Sequence, residues 1–139
     1  MKTLATLTLT LAILVSGCIT QANQQVEAGT MMDQLYASIE NQDWDTALSL
    51  YGKRFYKQMS KQEWKERLQT LRSELGHIKS RTVNFTQRDT KYRYDAYIFS
   101  FSVQYEKGKT KDLITIYKAV DGKGLHIVAH RINRIKIKS

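Results

Sequence analysis

The sequence predicts an α+β domain in which about three N-terminal helices pack on a curved four-stranded antiparallel sheet. Up to Gly76 the apolar residues recur at helical spacing, and after it they alternate with a period of two to the end of the chain. The alternating half is cut by two Gly-containing polar runs, Glu106-Lys107-Gly108-Lys109 and Asp121-Gly122-Lys123-Gly124, which read as hairpin turns between consecutive strands.

The first helix is expected over Val26 to Glu40, where Val26, Met32, Leu35, Tyr36 and Ile39 fall near helical spacing. Asn41-Gln42-Asp43 breaks that pattern, Asp43 is a suitable cap, and Trp44, Ala47, Leu48 and Tyr51 form the stripe of a short second helix ending near Gly52. Ser60-Lys61-Gln62-Glu63 is a capping box, in which a hydroxyl and a carboxylate satisfy free backbone N–H groups at a helix start. Trp64, Leu68, Leu71 and Leu75 continue from it, and Gly76 stands where the chain must leave the helix, which defines a third helix over Lys61 to Leu75.

Strands are expected over His77 to Thr86, Tyr92 to Tyr105, Thr110 to Val120 and Leu125 to Lys138, joined as a meander. In the second, Tyr97, Phe99, Phe101, Val103 and Tyr105 share one face, which should pack on the helices, and Ser100, Ser102 and Gln104 share the other. That polar face leaves a homodimer through the sheet open.

The N-terminus carries a different signal. Lys2 is followed by a Leu/Ala/Ile/Thr run from Leu4 to Val15, and Leu14-Val15-Ser16-Gly17-Cys18 closes it. This resembles the lipobox of bacterial lipoprotein precursors. The resemblance implies cleavage before Cys18, diacylglyceryl modification of its thiol, and a membrane partner reached through lipid. It also implies location in the cell envelope. Ile19 is not the aspartate that resembles an inner-membrane retention signal, which for a Gram-negative source implies the outer membrane, facing the periplasm. The apolar run is shorter than the roughly 20 residues that span a bilayer. The Gln/Asn/Thr-rich residues 19 to 25 are expected to be a flexible spacer.

Removal of residues 1 to 17 leaves about 120 residues, enough for one domain, 26–139, and too few for two. Cys18 is the only cysteine, so no internal disulfide can form and stability must come from a packed core. The formal net charge of +9 falls by one with the loss of Lys2. Outside the cytoplasm this points to an anionic lipid, a glycan or an acidic envelope protein rather than to nucleic acid.

The order of three helices followed by a long antiparallel sheet resembles the NTF2-like, cystatin-like fold, a cone whose sheet wraps the helices. Asn41-Gln42-Asp43-Trp44-Asp45-Thr46-Ala47-Leu48, Ser60-Lys61-Gln62-Glu63-Trp64, Leu75-Gly76, Val103-Gln104-Tyr105-Glu106-Lys107-Gly108 and Asp121-Gly122 are similar to small NTF2-like domains of unknown function in bacterial exported proteins. The match covers about residues 30 to 133. Its motifs are structural, and such a fold does not fix an activity.

Enzymes resembling this fold place an Asp or His inside an apolar cone. Asp95 shares the odd face of its strand, near a solvated rim, and is a poor catalytic candidate. His126 and His130, four apart on the last strand, should share a face, but no third ligand accompanies them. No catalytic residue, metal or cofactor is assigned. Among the aromatics Tyr92, Tyr94, Tyr97, Phe99, Phe101, Tyr105 and Tyr117, core packing accounts for most, and Tyr97, Phe101 and Tyr117 are the candidate lining of a small-ligand pocket. Arg131, Arg134, Lys136 and Lys138, interleaved with Ile132, Ile135 and Ile137, form a basic edge that suits an anionic partner. The expected function is a lipid-anchored, non-enzymatic binding or assembly accessory. A small-molecule carrier or enzyme using the cone is the alternative.

Overall fold

The computed structural model describes residues 16–90, 95–118 and 124–136, with side-chain environments from residue 23 onward. Four helices precede four strands: α1 (Ser16–Glu40), α2 (Trp44–Ser49), α3 (Lys53–Tyr56), α4 (Lys61–Leu75), β1 (Ile78–Asp89), β2 (Ala96–Tyr105), β3 (Gly108–Lys118) and β4 (Leu125–Ile135). The strands form one open antiparallel sheet in the order β1-β2-β3-β4. This is the expected α+β arrangement, with one helix more than expected. Residues 1–15, Tyr92, Tyr94, the turn residues Asp121, Gly122 and Lys123, and Ile137 and Lys138 lie outside the described residues.

Local chemistry sets the helix boundaries. Asp43 accepts from the Thr46 N–H and starts α2. At α4 both halves of the capping box are made: Ser60 Oγ accepts from the Glu63 N–H, and Glu63 Oε2 accepts from the Ser60 N–H at 2.9 Å. Gly76 ends α4 at φ 78°, where its N–H still donates to Arg72 O and a side chain would run into Glu106. The extra helix α3 is one turn without an apolar period of its own.

Two expectations about α1 are corrected. Residues 19 to 25, read as a flexible spacer from their polarity, continue the helix from Ser16, and Gln24 Oε1 accepts a hydrogen bond from Tyr97 Oη at 3.1 Å. Val26, expected on the core stripe, is 69% exposed, and Ala28 takes its place beneath Met32, Leu35, Tyr36 and Ile39. The true stripe runs 28, 32, 35, 36, 39, a cleaner helical period than one starting from Val26.

The core lies between the helices and one face of the sheet. Leu35, Ile39, Ala47, Leu48, Trp64, Leu68 and Leu71 meet Tyr97, Phe99, Phe101, Val103, Ile114, Ile116 and Ile127. The odd face of β2 is therefore the buried one, as its alternation predicts. The even face is less open than expected: Ser100 is 1% exposed, and a bulge in β1 brings Asn84 to bond both Ser100 and Ser102.

Glu40, the last residue of α1, joins three elements. Its carboxylate accepts from the Ile78 N–H at 2.9 Å, lies 2.6 Å from His77 Nδ1, and faces Arg72 Nε at 3.4 Å. Partial burial works to raise the pKa of this carboxyl, but the Ile78 and His77 hydrogen bonds and the Arg72 charge outweigh it, and the net shift is downward. Glu63 is also held low, by the Ser60 hydroxyl and N–H, and Glu106 by the His77 N–H. Groups with lowered folded values contribute stability above their ordinary values and lose it as pH falls through the folded ones. With unfolded glutamate near pKa 4.3, the melting temperature should fall steadily from about pH 5 to about pH 3. Glu40→Gln should flatten that slope in thermal melts recorded across the same range, and an unchanged slope would remove Glu40 from the account.

Candidate functional site

The helix-facing surface of the sheet is apolar except at its middle. On β3 the inner face runs Thr110, Asp112, Ile114, Ile116, so a carboxyl sits in the row that fills the core. Asp112 is 1% exposed. Its Oδ2 accepts from Tyr36 Oη at 2.6 Å and lies 3.6 Å from His130 Nε2 on β4. His130 Nδ1 is in turn 2.7 Å from Tyr51 Oη, and the two rings stack with an interplanar angle of 9°. Trp64 closes the far side, edge-on to His130 with ring centres 5.3 Å apart.

This buried chain of Tyr36, Asp112, His130 and Tyr51 ties α1 and the end of α2 to β3 and β4. Burial, helped by the charge of Asp112 and the hydrogen bond to it, raises the Tyr36 hydroxyl well above the ordinary tyrosine value. Burial also raises Tyr51 and Tyr105. All three hydroxyls stay protonated, and Tyr36 donates to Asp112. The Asp112–His130 pair has the composition of a general acid–base site, but the His130 side chain is 0% exposed, stacked on Tyr51 and met edge-on by Trp64.

Beside Trp64 a groove of about 860 Å³ opens between α4 and the edge of β4. Phe55, Met59, Trp64, Leu71 and Ile132 supply its apolar wall. Arg67, Arg131 and Arg134 stand among its polar lining with Glu63 and Glu66. Both carboxylates are engaged, Glu63 by Ser60 and Glu66 by Gln62. Arg134 is paired with Glu74. Arg67 and Arg131 hold no ion pair among the described residues.

The expected pocket lining is not here. Tyr97 and Phe101 are core residues, and Tyr117 lies on the opposite face of β3 with Arg54 over its ring at 5.1 Å. Of the basic edge, Arg131 and Arg134 line the groove with Ile132 between them, while Lys136 is exposed beyond the strand end. Asp95 is at the rim, paired with Arg88 at 2.8 Å.

The histidine expectation is corrected. Ile116 pairs with Ile127 but Thr115 with Ala129, so Val128 is an extra residue in β4. That bulge reverses the parity, placing His130 on the inner face and His126 on the outer one. Asp112 is the residue that sequence reasoning missed. Its signal was a charged residue on the same parity as Ile114 and Ile116. Among the described residues no group of three His, Cys, Asp or Glu side chains could hold a metal ion.

The fold has a counterpart among solved structures. The chain is similar to Bd1075 of Bdellovibrio bacteriovorus, with a TM-score of 0.59 and 14% sequence identity. The match covers 89% of this chain and 45% of that protein, so the chain spans less than half the length of Bd1075, and the likeness is one of fold. No family model and no curated protein matches. Within the described residues no helix is long and apolar enough to cross a membrane.

Proposed function

We propose that this is a lipid-anchored protein of the bacterial cell envelope whose NTF2-like domain is a non-enzymatic binding or assembly accessory, holding an anionic partner in the groove between α4 and the β4 edge. The observation that carries the reading is that groove: an apolar wall with arginines at its lip, open to solvent, whereas the Asp112–His130 pair is enclosed. The strongly positive net charge, +9 for the full sequence and one less without Lys2, adds a long-range field favouring negatively charged partners. The anchor rests on the motif ending at Cys18, and the NTF2-like identity rests on the helices-first order and the four-stranded meander.

Arg131→Glu together with Arg134→Glu should abolish co-purification of the native envelope partner from membranes solubilised under mild conditions, while Cys18→Ser should release the protein from the membrane fraction and remove its acyl mass. Retained co-purification would sink the groove. Retained membrane binding with no acyl mass on the native form would sink the anchor.

The buried Asp112–His130 pair favours a second reading, a small-molecule carrier or enzyme using the interior. Native mass spectrometry separates the two. A recurrent small molecule that disappears in His130→Gln supports the interior, and a co-purifying envelope protein supports the groove.

A further inference from the structure

We infer that the uncovered edge of β4, from His130 to Arg134, takes up an extended acidic peptide segment as a fifth strand of the sheet, with alternate side chains seated against α4. This rests on the groove reading and names the partner chemistry and the mode of binding.

The edge already accepts strand pairing at one end. Ile127 donates its N–H to Leu50 O at 3.0 Å and accepts from the Gly52 N–H at 2.9 Å, with Tyr51 bridging Ile127 in parallel. The chain then turns away into α3, and nothing among the described residues pairs with the edge beyond that point. Because Ile127 points its backbone groups outward, the alternation that resumes after the bulge gives the outward N–H and C=O groups to His130, Ile132 and Arg134. Those five residues offer about 17 Å of unpaired edge. A strand added there runs along the groove, so that every second side chain meets Phe55, Trp64, Leu71 and Ile132.

The charge of the site selects the occupant. Among the described residues Arg131 holds no ion pair and Arg67 acts on Glu63 only through its charge, whereas Glu63 and Glu66 already take hydrogen bonds within α4 and its cap. A second copy paired antiparallel through the same edge would bring the basic cluster of Arg131, Arg134 and Lys136 up against the same cluster of its twin, and like charges brought together oppose such pairing. Acidic residues alternating with apolar ones meet both requirements.

The test uses the full chain in detergent and a blocked nine-residue peptide alternating glutamate with valine. Two further forms are methylated at the backbone nitrogens of either the valines or the glutamates, which removes the donors along one side of the strand and leaves charge and side chains unchanged. The parent peptide is expected to bind, one methylated form about tenfold or more weakly, and the other within about twofold of the parent. The amides of His130, Ile132 and Arg134 should slow in hydrogen exchange on binding, and Arg131→Glu should weaken the parent peptide. Equal binding of both methylated forms overturns strand addition and leaves an anionic groove. Binding untouched by Arg131→Glu, or no binding of the parent peptide at all, overturns the inference on its charge side. A dimer in sedimentation that the peptide does not dissociate assigns the edge to a second copy and also overturns it.

Discussion

Phe101→Ala is expected to lower the free energy of unfolding by about 3–5 kcal/mol, a large part of the total for a domain of this size. Phe101 is 1% exposed, with Tyr36 edge-on at 5.4 Å, Phe99 parallel at 5.8 Å, and the Arg81 guanidinium over its ring at 4.8 Å. Arg81 is itself fixed, donating to Met32 O at 2.9 Å and pairing with Asp33, so the wall around the ring cannot easily collapse into the space an alanine would leave. A pocket-lining phenylalanine would behave differently, with a small cost in stability and a change in ligand affinity. Equilibrium urea unfolding at neutral pH decides, and a loss below about 1.5 kcal/mol would return Phe101 to the pocket wall.

Tyr36→Phe removes a single oxygen atom, yet it should cost about 2–3 kcal/mol. Without the hydroxyl, Asp112 Oδ2 keeps only the longer approach of His130 at 3.6 Å, and a buried carboxyl deprived of its short donor bears most of its desolvation cost. A double-mutant cycle tests the origin of the loss. In an Asp112→Leu background, where there is no acceptor to strand, the same Tyr36→Phe change should cost less than about 1 kcal/mol. Equal costs in the two backgrounds would mean that the hydroxyl acts through packing alone.

Helix α4 was legible because three independent local signals agree on it: the Ser60/Glu63 box, the Trp64-Leu68-Leu71-Leu75 stripe, and Gly76. The buried face of β2 was legible because five large apolar side chains alternate without interruption. Parity failed in β4, where one extra residue at Val128 carries no compositional mark yet separates His126 from His130. Asp112 was hidden for a related reason. Charged residues in strands ordinarily face water, and only tertiary pairing with Tyr36 and His130 makes this one tolerable in the core. The groove was half visible: Arg131 and Arg134 stood out in the sequence, but the wall they complete comes from α4, some 60 residues earlier, and no local pattern joins the two. Helix α3 is held by the Phe55 N–H donating to Gly52 O and by the packing of Phe55 on Tyr51 and Trp64, contacts that periodicity does not register.

The unbroken course of α1 bears on how the protein would stand at a bilayer. Gln24 already touches the sheet through Tyr97, and it stands six positions along the helix from Cys18. At helical rise that interval is about 9 Å, against about 20 Å for the same residues drawn out. With the proposed acyl chains on Cys18, the body would ride close over the headgroups on a stiff post. The angle at which that post leaves the surface would then decide which way the β4 edge is presented.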